Sequence, residues 1–99
     1  MATPKVSLSV NDMPVPVEDF VQDFIRNVVI GMLTVLKGAE KMQSIELAIK
    51  GDIVVIHVNN ASVPANPFVN RFIKNTVLGM VSSLKGISQI DRLEISITE

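Results

Sequence analysis

Phe20-Val21-Gln22-Asp23-Phe24-Ile25-Arg26-Asn27 and Phe68-Val69-Asn70-Arg71-Phe72-Ile73-Lys74-Asn75 are two versions of one block, set 48 positions apart. Extended outward without a gap, residues 5–50 align with residues 53–98 and agree at 18 of 46 positions. The shared residues include Val10-Asn11, Val15-Pro16, Gly31-Met32 and Leu36-Lys37-Gly38, each with its twin in the second copy. Two copies are too few for a solenoid, which needs about three. A duplicated unit that closes into one pseudo-twofold domain spanning residues 1–99 is the expected organisation.

Each unit reads strand, helix, strand. Val6, Leu8 and Val10 alternate with Lys5, Ser7 and Ser9, the period of a half-buried strand. Pro14 and Pro16 then mark a loop. From about residue 18 to Lys37, apolar residues at Val17, Phe20, Val21, Phe24, Ile25, Val28, Met32 and Leu36 follow helical spacing. Lys37 and Gly38 supply a cationic last turn and a glycine stop. In the second copy Asn66 is placed to cap the helix and Pro67 to open it, and Leu84-Lys85-Gly86 repeats the stop. The closing strands alternate at Ile45, Leu47, Ile49 and at Leu93, Ile95, Ile97. Lys50-Gly51-Asp52 joins the copies through a tight turn, which demands an antiparallel hairpin.

The order β-α-β-β-α-β predicts an α+β fold: a ferredoxin-like two-layer sandwich, with a four-stranded antiparallel sheet and both helices on one face. The third strand is expected at the centre of that sheet. Its inner face would carry twelve aliphatic positions, three from each strand. This fold hosts many unrelated functions and selects none of them.

Composition narrows the class of protein. The 99 residues include 33 Val, Ile and Leu but only four Phe, and neither Tyr nor Trp, with a mean hydropathy of +0.40. That apolar content excludes a disordered chain. A net charge of −1 gives no basic footprint for nucleic acid. The absence of cysteine excludes disulfides, iron–sulfur clusters and thiolate zinc sites. No run of eighteen apolar residues is present to span a membrane, and Met1 to Val10 lacks the continuous apolar run of a signal peptide, so a cytoplasmic address is expected.

Three features exceed what a plain two-layer core explains. Gly31 and Gly79 sit mid-helix, where glycine costs about 1 kcal/mol against alanine; helix-on-helix packing near the pseudo-twofold axis is the plain reading, room for a ligand or partner the other. Ile30 and Leu33, with twins Leu78 and Val81, lie close to the polar side of their helices and are expected at a subunit contact. Ile53 and Val55 place aliphatic side chains on the solvent face of the third strand, where the first has Lys5 and Ser7, so a sheet-to-sheet contact is the rival. The exposed helix faces also differ in charge, with Glu18, Asp19 and Asp23 on the first and Arg71 and Lys74 on the second.

Chemistry is sparse. Small acylphosphatases resemble this chain in length and expected topology, which would imply a glycine- and arginine-bearing phosphate loop after the first strand. The segment Asn11-Asp12-Met13-Pro14-Val15-Pro16 has neither residue. His57 stands alone, without the partners that a metal site or a catalytic triad requires. All four Phe fall at helix positions expected to face the core, which removes the exposed aromatic platform used for RNA. Asn27 and Asn75 share the stripe of the phenylalanines and are expected to pair with each other or with a carbonyl. The expected function is a non-enzymatic, self-associating interaction or assembly module, a homodimer without catalytic residues, metal or cofactor. The alternative is a regulatory domain holding a small molecule near Asn27, Gly31, Asn75 and Gly79.

Overall fold

The computed structural model describes residues 5–38, 41–84, 86–87 and 89–98. Two helices cover one face of a six-stranded sheet. The elements run β1 (Lys5–Val10), β2 (Met13–Val15), α1 (Asp19–Lys37), β3 (Ser44–Lys50), β4 (Ile53–Val58), β5 (Ala61–Ser62), α2 (Pro67–Ser82) and β6 (Arg92–Thr98). The sheet order is β2-β1-β6-β3-β4-β5, and every neighbouring pair is antiparallel. The α+β class and the β3–β4 hairpin through Gly51 follow the sequence; the expected count of four strands is corrected to six. The centre is also different. It belongs to β3 and β6, while β4, expected there, lies one place from the edge. Each β-α-β unit is still split, since β6 separates β1 from β3 and β3 separates β4 from β6.

The duplication is visible as geometry. Leu47 of β3 stands opposite Ile95 of β6, and these are twins in the repeat, so the pseudo-twofold axis passes between them. The two additional strands are twins as well. Each belongs to a two-residue hairpin whose central residues are left-handed, Asn11 and Asp12 (φ 52° and 67°) in one copy, Asn59 and Asn60 (φ 52° and 67°) in the other. Positive φ at both positions is the type I′ turn, which matches the twist of the flanking strands and favours asparagine.

The two asparagines that open these turns also tie down the segment that leads into the neighbouring long strand of the sheet. Asn59 Oδ1 accepts from the backbone N–H groups of Gln43 and Ser44 at 2.8 and 3.2 Å, and its Nδ2 donates to the Lys41 carbonyl at 2.8 Å. Asn11 does the same in the other half, accepting from Asp91 and Arg92 at 2.8 and 2.9 Å and donating to Gln89 at 3.0 Å. Asn59→Ala is therefore expected to destabilise the fold by about 1–2 kcal/mol in urea unfolding, through lost hydrogen bonds and an unfavourable φ. Asn59→Gly keeps the turn and loses only the amide, so it should fall between Asn59→Ala and the parent.

The core lies between the layers. Val6, Leu8, Val10, Ile45, Leu47, Ile49, Ile56, Val58, Leu93, Ile95 and Ile97 are buried on the inner sheet face, with Val54 partly so. The helices answer with Ile25, Val29 and Leu33 on α1 and their twins Ile73, Val77 and Val81 on α2. These residues recur every four positions, which aligns them along one face of each helix. Asn66 caps α2, its Oδ1 accepting from Val69 N–H at 2.8 Å, with Pro67 as the first helical residue. Gly38 stops α1 at φ 91°, where its N–H donates to the Thr34 carbonyl. The side chain of Lys37 and all of Lys85 lie outside the described residues; α2 itself ends at Ser82.

Candidate functional site

The phenylalanines are outside. Phe20, Phe24, Phe68 and Phe72 are 69%, 56%, 69% and 58% exposed, so the expectation that they face the core is corrected. The reason lies in the width of the apolar sector. Val21, Ile25, Val29 and Leu33 already fill the side of α1 that meets the sheet. Phe20 and Phe24 lie on the stripe that continues through Asn27 and Gly31, rotated away from that side and into solvent. α2 repeats this with Phe68, Phe72, Asn75 and Gly79. Within each pair the rings touch, Phe20 and Phe24 edge to face at 5.0 Å between centroids, Phe68 and Phe72 tilted at 6.1 Å.

α1 lies over β1 and α2 over β4, which leaves a groove between the helices. Two twin depressions open along it. One of about 300 Å³ is lined by Met32, Val35 and Leu36 of α1 and by Phe68, Val69 and Phe72 of α2. The other, about 280 Å³, takes Val21, Phe24 and Ile25 from α1, Met80 from α2, and Ser83 and Leu84 from the segment just after it. The first is almost wholly apolar, and Val35 at its rim is 85% exposed. An aromatic side chain presents about 150–250 Å², so the four phenylalanines leave roughly 400–600 Å² of ring surface in water. The area is divided between the two ends of the groove, with Phe68 and Phe72 beside Val35 and Leu36 at one end and Phe24 beside Met80 and Leu84 at the other.

The residues expected at the site are distributed differently. Leu33 and Val81 are buried in the core of their own chain, at 1% and 0%, and are withdrawn from the subunit contact. Ile30 and Leu78 are partly buried and packed against that core. Ile53 and Val55 are exposed on the outer sheet face, as the alternation predicts. Asn27, Gly31, Asn75 and Gly79 are all exposed, and none of them lines either groove depression. The amides are thus not buried within the chain. Nor do the glycines admit a neighbouring helix, because a Cβ built on Gly31 or Gly79 meets nothing within 4 Å.

The opposite surface is the outer face of the sheet, where a shallow cavity of about 260 Å³ is bounded by Ser7, Glu46, His57, Glu94 and Ser96. The register puts Ser7, Ser96, Glu46 and His57 side by side across four strands. Ser96 Oγ reaches Glu46 Oε1 only at 3.5 Å, so this row is loosely connected. Among the described residues no three His, Asp or Glu side chains are grouped to hold a metal ion. No helix of the described residues is long and apolar enough to cross a membrane.

Charge sits at the edges of the helix face. Asp23 pairs with Arg26 at 2.9 Å along α1. Lys74 of α2 reaches Asp52 in the turn between β3 and β4, and its ammonium holds that carboxyl below the usual carboxylate range. Arg92 and Asp12 form a further surface pair. The aromatic stripe was legible in one detail: Phe20 and Phe24 share their side of the helix with an asparagine and a glycine, while the stripe Val21, Ile25, Val29, Leu33 has no polar member. The chain matches no protein-family model, and no match to it was found among curated proteins or solved structures.

Proposed function

We propose that this protein is a non-enzymatic, self-associating interaction module whose docking surface is the outer face of the helix layer. The exposure of all four phenylalanines carries the reading. Aromatic side chains dominate interface energetics, and they are concentrated here on one surface when the aliphatic core is complete without them. The fold is read as a duplicated two-layer sandwich that departs from the ferredoxin-like order, with the second strand of each repeat rather than the first at its centre and a hairpin added at each edge. In this reading the sheet layer is the scaffold and the helix layer the contact.

Area supports a second copy as the occupant. A face-to-face pair buries the phenylalanine surface of both partners, roughly 800–1,200 Å², before Val35 and the polar rim are counted. Stable interfaces bury about 1,200–2,000 Å² in total. Sedimentation equilibrium across the micromolar range is expected to show a concentration-dependent dimer. A chain that stays monomeric up to hundreds of micromolar overturns the proposal.

A further inference from the structure

Both exposed helix stripes have the same layout. Phe20, Phe24, Asn27 and Gly31 are spaced 4-3-4, and so are Phe68, Phe72, Asn75 and Gly79. That is the spacing of a coiled-coil seam, the line along which one helix meets another. It is a second apolar seam on helices whose first already faces the sheet. Each stripe is large at its N-terminal half and small at its C-terminal half. Thr34 continues the small half in α1 and Ser82 in α2, and both hydroxyls fold back onto the carbonyl of their own helix, from Thr34 to Ile30 at 2.7 Å and from Ser82 to Gly79 at 3.2 Å.

A stripe with this asymmetry is complementary to a reversed copy of itself. Turned end for end about Asn27, its aromatic half lies over a small half, and the small half receives the aromatic half of the partner. A twofold contact imposes that reciprocity, since any residue i touching j requires j touching i. The glycines point the same way. Each lowers the helix propensity of its own chain, and the space above each Cα is open. No intramolecular neighbour requires a glycine there, and the missing side chain leaves room for a phenylalanine ring arriving from outside.

Resting on the self-association proposed above, we infer that two copies of this chain stack helix layer on helix layer with antiparallel helices. The Phe20–Phe24 and Phe68–Phe72 pairs of each copy seat over the Asn–Gly halves of the other. The two stripes are twins, so a helix finds the same complement on either helix of the partner. Asn27 and Asn75 fall near the middle of the stack, where their amides pair across the interface, as polar seam residues do when they set register. The occupant is a protein surface of this same shape, and the polar row at Glu46 and His57 stays in solvent.

The glycines supply a test in which two readouts move in opposite directions. Gly31→Ala and Gly79→Ala each add a helix-favouring side chain to open space. Each is expected to raise Tm by roughly 4–8 °C in protein dilute enough to be monomeric. The pair Gly31→Leu with Gly79→Leu, which fills both seats, is expected to weaken association at least tenfold in sedimentation equilibrium while the circular dichroism stays that of the parent. If the leucine pair dimerises as tightly as the parent while Phe24→Asp abolishes dimerisation, the antiparallel stack is overturned and the docking face stands. If the parent is monomeric throughout, or monomeric and captured by neutral lipid vesicles, both readings fall together.

Discussion

A chain carrying Phe24→Asp and Phe72→Asp is expected to sediment as a monomer at concentrations where the parent is paired. Both positions are more than half exposed, so their loss leaves the core of α1 and α2 intact, and unfolding free energy in the monomer should move by no more than about 0.5 kcal/mol. Association is another matter. Truncation of a buried aromatic anchor costs about 2 kcal/mol or more, and in a twofold contact each substitution occurs on both sides. The two substitutions together remove four anchors, and even at half of additivity about 4 kcal/mol is a thousandfold in the dissociation constant. A carboxylate forced against the opposing face adds to it. Sedimentation velocity, paired with urea unfolding on the same samples, separates the two effects. A variant that remains dimeric places the contact elsewhere, with Ile53 and Val55 on the outer sheet face as the next surface to substitute.

The second large effect is expected inside. Leu47→Ala and Ile95→Ala remove twin side chains that face each other at the pseudo-twofold axis and are 2% and 1% exposed. Each should destabilise the fold by about 2–5 kcal/mol, a large share of the 5–15 kcal/mol that holds a typical domain together. The two residues share one cavity, so the double variant should fall short of the sum. Phe20→Ala, which removes a larger side chain from the surface, should barely move the monomer's urea midpoint. If Phe20→Ala proved as damaging as Leu47→Ala, the division between inner and outer faces would be wrong.

Much of the fold was legible because period and punctuation agreed. The alternation through Val6-Leu8-Val10 and its three counterparts set the inner sheet face, and Pro67 and Gly38 set the helix limits near where they fall. The edge hairpins were missed because Asn11-Asp12 and Asn59-Asn60 lack the glycine that usually announces a type I′ turn, and because the strands that follow have only three and two residues. Pro14 within β2 and Pro16 just after it read as loop. The strand order was set by pairing between β3 and β6, which local sequence does not encode. The site was misjudged for one reason. The apolar sector of α1 runs past the width that a sheet can cover, and counting apolar positions does not tell the covered part from the uncovered. Helical spacing alone therefore points Phe20 and Phe24 inward and Leu33 outward. Gly31 and Gly79 were no better a guide, since helix-on-helix packing is their plain reading and the space around each is open.

The short strands at the two margins have a consequence for how large an assembly can grow. β2 carries Pro14, which has no N–H to offer, and β5 is two residues long with Pro64 two positions beyond it. Neither margin presents the long ladder of open donors and acceptors along which sheets extend into ribbons and fibrils. β2 and β5 leave only residues 5–7 of β1 and 53–56 of β4 uncovered at the margins, short stretches that disfavour growth by strand addition, and a face-to-face contact is complete once it has one partner. A concentrated solution of this protein should therefore hold discrete particles and remain clear, with neither filaments nor gel, despite nearly half its residues being hydrophobic.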